Sequence, residues 1–237
     1  MLTVDFDYLK ITPKEIVLDL GCGAGRHTFE ALKRQANVIS LDLDELEAKK
    51  VAGMIYAMRE ENQLPANCRC LIISSDALTL PFKNNSVDKV IASEVLEHIT
   101  NDHKAFDELN RVLIPGGVLA LTVPRFFPEL VNWALADEYH LVKGGHVRIY
   151  RKKVLIQRLV QHGFTVERIH YNHGLHSPYW WLKCFVGLYN ESNIFVRKYK
   201  SYLERQIIKP TFTGKFLDKV LSSLIGKSIV VYARKVR

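Results

Sequence analysis

Apolar and polar positions follow a repeating order along most of the chain: a short β-prone run, a break, then a longer stretch of helical period. Val17-Leu18-Asp19-Leu20 leads into Gly21-Cys22-Gly23-Ala24-Gly25 and the helix-prone Thr28–Arg34, which reads as strand, tight turn and helix. Val38-Ile39-Ser40-Leu41 ends in Asp42 and is followed by a helical stretch from Asp44 to Glu60. Leu71–Ser75, Lys89–Ser93 and Val118–Val123 predict three further strands, and Asp102–Val112 a helix stopped by Pro115-Gly116-Gly117. A helix over Lys152–His162, ended by Gly163, precedes a strand over Thr165–His170, with Val166, Arg168 and His170 outward against Thr165 and Ile169. The final strand, Ser228–Ala233, is expected to pair antiparallel with its neighbour. Such alternation predicts an α/β fold: a Rossmann-like, seven-stranded, mostly parallel sheet with helices on both faces and an antiparallel last strand.

Two stretches break the rhythm. Residues 125–150 read as a long connection carrying Phe126, Phe127, Trp133, Tyr139, His140 and His146. Between the last two strands lie about 50 residues where a short connection is usual. This insertion starts with Tyr179–Tyr189, apolar almost all round. It continues with a helical stretch Ile194–Lys209 stopped by Pro210, and then a stripe of Phe216, Leu217, Val220, Leu221 and Leu224 at helical spacing. The expected division is a core over residues 1–174, a helical cap over 175–226 and the last core strand over 227–237.

Charge sharpens this division. The chain of 237 residues has a formal net charge of +8, yet residues 175–237 hold 12 Lys and Arg against 3 Asp and Glu, so the whole excess sits in the last quarter. The length suits one well-buried domain, and the four cysteines are too few and too scattered for a disulfide scaffold. Cys68-Arg69-Cys70 lacks the spacing of a zinc site, and no metal is expected. Residues Met1–Lys10 lack the basic start and apolar core of a signal peptide. With no apolar run of about 20 residues, a cytoplasmic protein is expected.

The glycine turn narrows the ligand. Gly21, Gly23 and Gly25 give G-x-G-x-G rather than G-x-G-x-x-G, and no G-x-x-x-x-G-K-[ST] is present. An acid two residues before the first glycine would repel a pyrophosphate but suits a ligand bearing cationic and hydroxyl groups. Asp42, 17 residues beyond Gly25, is placed to accept hydrogen bonds from vicinal ribose hydroxyls.

Taken with Asp76-Ala77-Leu78, Leu80-Pro81-Phe82, Ser86-Val87-Asp88, Ser93-Glu94-Val95-Leu96-Glu97-His98-Ile99 and Arg111–Gly117, the pattern resembles the class I S-adenosylmethionine-dependent methyltransferases. It is nearest to the type 11 group, which includes quinone-biosynthesis and many small-molecule and lipid enzymes. The resemblance covers residues 15–124, and more loosely extends to about 170. It implies S-adenosyl-L-methionine as cofactor, held by Asp19, Gly21, Cys22, Gly23, Gly25, Asp42, Leu43, Asp76, Ala77, Ser93 and Glu94. In that reading Asp19 and the glycines lie against the methionine part and ribose, Asp42 takes the ribose hydroxyls, Asp76 the adenine amino group, Ala77 lies beside the ring, and Ser93 lines the methionine end. A site edged with carboxylates also suits a cationic ligand.

Methyl transfer to oxygen or carbon needs a proton acceptor on the acceptor side. His140 and His146 in the connection, and His98 just beyond the fourth strand, are the candidates. Each also has a plain structural reading, as a histidine that simply packs. The insertion's aromatic, cationic composition suits a small or amphiphilic, lipid-like acceptor, peripheral contact with an anionic membrane, or only a cap that buries its own aromatics. An RNA or other nucleic-acid methyltransferase is the alternative from charge and aromatics. It is disfavoured because the position of the usual Asn/Asp-Pro-Pro-Tyr/Phe turn reads Ser93-Glu94-Val95-Leu96. A non-catalytic partner subunit that binds the cofactor is the remaining alternative. The oligomeric state and the identity of the acceptor are not legible.

Overall fold

The first strand, β1 (Ile16–Leu20), is buried on both faces, as its run of Val17, Leu18 and Leu20 requires, and lies between β2 (Asn37–Asp42) and β4 (Val87–Ser93), parallel to both. The computed structural model describes residues 1–142 and 144–236. These form one seven-stranded sheet in the order β3-β2-β1-β4-β5-β7-β6, with β3 (Cys70–Ser74), β5 (Leu113–Pro124), β6 (Phe164–Asn172) and β7 (Ser228–Lys235). As expected, β7 alone runs against its neighbours, pairing antiparallel with both β5 and β6. Connections leave β1 in one direction to β2 and β3, while β4 and β5 lie on its other side. The crevice where this order diverges, at the carboxyl ends of β1 and β4, is where open α/β sheets bind ligands.

Helices α1 (Phe6–Leu9), α2 (Arg26–Lys33), α3 (Glu45–Glu60), α4 (Asp102–Val112), α5 (Phe126–Leu135) and α6 (Lys152–Gln161) surround the core, and α7 (His176–Val186), α8 (Ile194–Ile208) and α9 (Phe212–Ile225) lie between β6 and β7. Two apolar clusters cover the two faces of the sheet. At the centre of β5, Leu119, Ala120, Leu121 and Val123 have no exposed surface, and each large side chain so buried contributes about 1.5–3 kcal/mol.

Three differences from the sequence reading concern the site. β5 begins at Leu113, because Leu113 pairs with Val87 before the Pro115-Gly116-Gly117 irregularity. In β6 the register with β7 shifts between Val166 and Arg168. This bulge turns Val166, together with Ile169 and Tyr171, onto the core cluster, so Val166 does not point outward with Arg168. The connection 125–150 contains a true helix, α5, whose apolar residues surround its axis and so give no face pattern to read.

The rest of that connection is pinned to the sheet's carboxyl edge. Val147 N donates to Glu97 O at 2.9 Å, and Arg148 donates to Thr100 O at 2.5 Å. The buried Asp102 carboxylate pairs with Arg148 and Arg158 and accepts from the Tyr150 hydroxyl. Helix α7 reaches the same edge, with Trp181 Nε1 donating to Pro128 O of α5 at 3.1 Å.

Candidate active site

The glycine turn fixes one wall of a cleft of about 370 Å³, whose lining includes Gly21, Gly23, Asp42, Leu43, Asp76 and Ala77 on one side and Glu94, Val95 and His98 on the other. Gly21 has φ +65° and a Cβ there would lie 2.3 Å from Val95 Cγ2, so only glycine admits this close crossing of the two walls. Gly23, at φ +48°, has open space where a Cβ would stand. Its N–H donates to Asp42 Oδ2 at 2.8 Å, while Asp42 Oδ1 accepts from Asp44 N at 2.9 Å. The end of β2 and the turn after β1 are thus tied by one carboxylate on the cleft wall. Asp76 Oδ1 accepts from Leu78 N at 2.9 Å and turns the chain beyond β3. Leu43 is largely exposed at the rim.

Four of the expected cofactor residues do not line this cleft. Asp19 is buried, and its Oδ2 accepts from Thr28 Oγ1 at 2.7 Å; that hydroxyl also meets Ser40 Oγ at 2.9 Å. Burial pushes the Asp19 carboxyl up to about 6, against the Thr28 hydrogen bonds and the charge of Arg26. The acid joins β1, α2 and β2 beneath the turn. Cys22 likewise puts its side chain in the core, where burial pushes the thiol up to about 12. Gly25, at φ +79°, starts α2, with Phe29 and Val51 filling the space of a Cβ. Ser93 is buried behind the cleft in a run of hydrogen bonds: Arg26 donates to Ser93 Oγ at 3.2 Å, Ser93 meets Thr122 Oγ1 at 3.0 Å, and Thr122 donates to Glu94 Oε1 at 2.9 Å. Glu94 itself stands at φ +58°, an uncommon backbone for a side chain of this kind.

Beyond Glu94 the short 3-10 turn Leu96–His98 brings His98 to the cleft. His98 is exposed to the cleft, and its ring lies 4.8 Å from that of His146, centroid to centroid. His146 Nδ1 lies 2.5 Å from Oε1 of Glu129, a carboxylate that is almost wholly buried. Glu129 also accepts from Trp133 Nε1 at 3.0 Å, Asn132 Nδ2 at 3.3 Å and the Tyr139 hydroxyl at 3.4 Å. Burial alone would push Glu129 up; the hydrogen bond and charge of His146, with Lys227 and Trp133, outweigh it and hold the carboxyl below its ordinary value. A carboxylate on one ring nitrogen fixes the tautomer and leaves the other nitrogen free to take a proton.

The structure therefore brings His98 and His146 together and sets His140 apart: its ring stacks on Trp133 at 4.1 Å and 7°. Glu129 escaped the sequence reading because residues 125–150 carried no helix signal. A single acid inside Phe126-Phe127-Pro128-Glu129-Leu130-Val131 was the available hint, since an acid in so apolar a run is buried only when paired.

Glu97 also lies here. It is fully buried, and among the described residues neither carboxylate oxygen has a hydrogen-bond partner. Burial, with Glu94 and Glu129 nearby, holds this carboxyl well above the usual range against the pull of Lys227. Glu97, His98 and His146 each bring one donor atom within 4.8 Å of the others. The insertion meets the connection 125–150 at Tyr139: Trp180 of α7 packs 5.7 Å from its ring, and Lys227 lies 5.2 Å over the Trp180 ring.

Residues 18–121 match a family model described as a methyltransferase domain. Among curated proteins, the chain is 32% identical over 136 residues to a ubiquinone/menaquinone biosynthesis C-methyltransferase of Ruegeria sp., covering 57% of this chain and 51% of that protein. It is 32% identical over 130 residues to a sterol 24-C-methyltransferase of Gibberella zeae, covering 54% of this chain and 30% of that one. The chain thus spans about half the length of the first of these relatives and under a third of the second. Among solved structures, a putative methyltransferase from Bacillus halodurans is similar with a TM-score of 0.64 at 20% identity, over 98% of this chain and 97% of that one. An S-adenosylmethionine-dependent methyltransferase from Aquifex aeolicus is similar at 0.58 and 15%, over 98% and 87%. From the glycine turn through β5, residues 18–121 of this chain are similar to the type 11 methyltransferase domain.

Proposed function

We propose that this chain is an S-adenosylmethionine-dependent methyltransferase acting on oxygen or carbon of a small or amphiphilic, lipid-like acceptor. One observation supports it above the others: the His146–Glu129 pair stands beside a cleft edged by Asp42, Asp76 and Glu94. The cleft suits the cofactor in its chemistry. Its carboxylates face a cationic ligand with vicinal hydroxyls, and the bare Gly23 lets the backbone approach it closely. Asp42 is the residue for the ribose hydroxyls, Asp76 for the adenine amino group with Ala77 beside the ring, and Glu94, behind which stands the Arg26–Ser93–Thr122 run, for the methionine end. Bound there, S-adenosylmethionine supplies an electrophilic methyl group on a sulfonium whose leaving group is neutral.

The chain's own residues do the rest. His146 takes the proton from an acceptor hydroxyl, or from the enol or phenol that activates a neighbouring carbon, at the ring nitrogen turned away from Glu129. Glu129 holds the ring in place and stabilises the imidazolium that results. Tyr139 and Trp180 exclude water and offer an apolar wall to the acceptor. The relatives named for C-methylation in sterol and quinone biosynthesis support an apolar acceptor with carbon among its reacting atoms. The test is incubation with methyl-labelled S-adenosylmethionine and fractionated cell extract. Label is expected in the organic-solvent fraction and should be lost with His146→Ala; label confined to nucleic acid would overturn the reading.

A further inference from the structure

Helix α9 is packed inside out. Its inward face carries Gly214, Asp218 and Ser222: Asp218 Oδ1 accepts from Leu175 N at 2.9 Å, and Ser222 Oγ from Gly174 N at 3.0 Å. The backbones cross so closely that a Cβ on Gly174 would lie 2.3 Å from Ser222 N. Arg125 closes the helix by donating to the carbonyls of Ser222 and Ser223 at 3.3 and 3.2 Å. Leu221 and Ile225 are half-buried, but the other apolar residues face outward: Phe212, Phe216 and Leu224 are 85%, 63% and 65% exposed, with Leu217 and Val220 exposed between them. An ordinary surface helix turns such a stripe to the core. The polar contacts to Gly174 and Leu175 hold this one the other way.

We infer that the outward face of α9 lies in the interface of an anionic lipid bilayer. Charge complementarity selects this occupant. Lys215 and Lys219, both exposed, line one margin of the stripe, and residues 175–237, to which the helix belongs, carry 12 basic against 3 acidic residues. A helix with an apolar stripe and a cationic margin is the form that binds in the plane of an anionic membrane. A second copy of the chain seated on the same face would bring like charges together. No helix among the described residues is long and apolar enough to cross a membrane, so the contact is in-plane. The surface is argued without reference to the acceptor; only its purpose, delivery of a lipid-like acceptor to the cleft, rests on the reading above.

The test is co-sedimentation of the full chain with vesicles of mixed phosphatidylcholine and phosphatidylglycerol, and with vesicles of phosphatidylcholine alone, without donor or acceptor. Binding is expected to the anionic vesicles and to fall as salt is raised. Each of Lys215→Glu and Lys219→Glu should weaken it by about fivefold or more. The triple change Phe212→Ser, Phe216→Ser, Leu224→Ser should weaken it by about tenfold or more, with S-adenosylhomocysteine binding by calorimetry unchanged as proof of folding. A chain that stays in the supernatant with anionic vesicles, a triple variant that binds like the parent, or a stripe-dependent dimer in sedimentation equilibrium would each overturn the inference. Because no methyl transfer is measured, failure of the proposed activity leaves this result standing, and the reverse holds too.

Discussion

His146 Nδ1 and Glu129 Oε1 lie 2.5 Å apart, joining the end of a pinned loop to a buried acid in α5, 17 residues earlier in the chain. His98 of the 3-10 turn, which lines the cleft, stands against the same imidazole, so in the proposed reaction a proton taken at His146 would have a carboxylate behind it.

Replacing either partner should therefore affect turnover more than cofactor binding. His146→Ala is expected to lower kcat by about a hundredfold to ten-thousandfold, and Glu129→Gln to follow in the same direction. Affinity for S-adenosylhomocysteine, measured by calorimetry, should stay within about threefold. His140→Ala, removing a ring stacked on Trp133, should reduce stability and leave the pH dependence of turnover in place.

Asp42 and Asp44 separate cofactor binding from helix capping. Asp42→Ala removes the acceptor of Gly23 N together with the proposed ribose ligand, and affinity for S-adenosylhomocysteine should fall by about tenfold to a hundredfold. Asp44 caps α3 through Leu46 N at 2.8 Å. Asp44→Ala should cost about 1 kcal/mol in a denaturant titration while leaving that affinity nearly unchanged.

At Gly21 an added methyl group meets Val95 Cγ2 at 2.3 Å, and φ is +65°. Gly21→Ala should cost about 2–4 kcal/mol from the clash and the left-handed backbone together. Adding Val95→Ala should return part of that, leaving only the backbone penalty. Thermal unfolding of the single and double variants decides it: a double variant no better than Gly21→Ala would show that the crossing is not the constraint.

The Asp19 carboxyl, pushed up to about 6 by burial, makes stability depend on pH in a definite sense. Between its ordinary value and about 6 the folded chain keeps a proton that the unfolded chain releases, so stability falls as pH rises through that window. The loss amounts to about 2–3 kcal/mol. Asp19→Asn cannot titrate there, so denaturant titrations from pH 4 to 7 should show the parent losing ground steadily to the variant.

The sequence by itself determined the alternation of strands and helices and the positions of the glycine turn and the strand-end acids that line the cleft. Alternating apolar runs are a local property, and Asp42, Asp76 and the glycines sit at strand ends, where sequence position and spatial position coincide. His98 and His146 were legible as candidates because they fall at the carboxyl edge in any such fold. The tertiary structure decided what needs two distant segments to meet. Glu129 became a partner only when α5 packed under the pinned loop, and Asp19 went beneath the turn because Thr28 and Ser40 close around it. The stripe on α9 was plain in the sequence, but a helical period has no preferred direction. Which way it faces was settled by Gly174, Asp218 and Ser222, whose close polar contacts hold the apolar side outward.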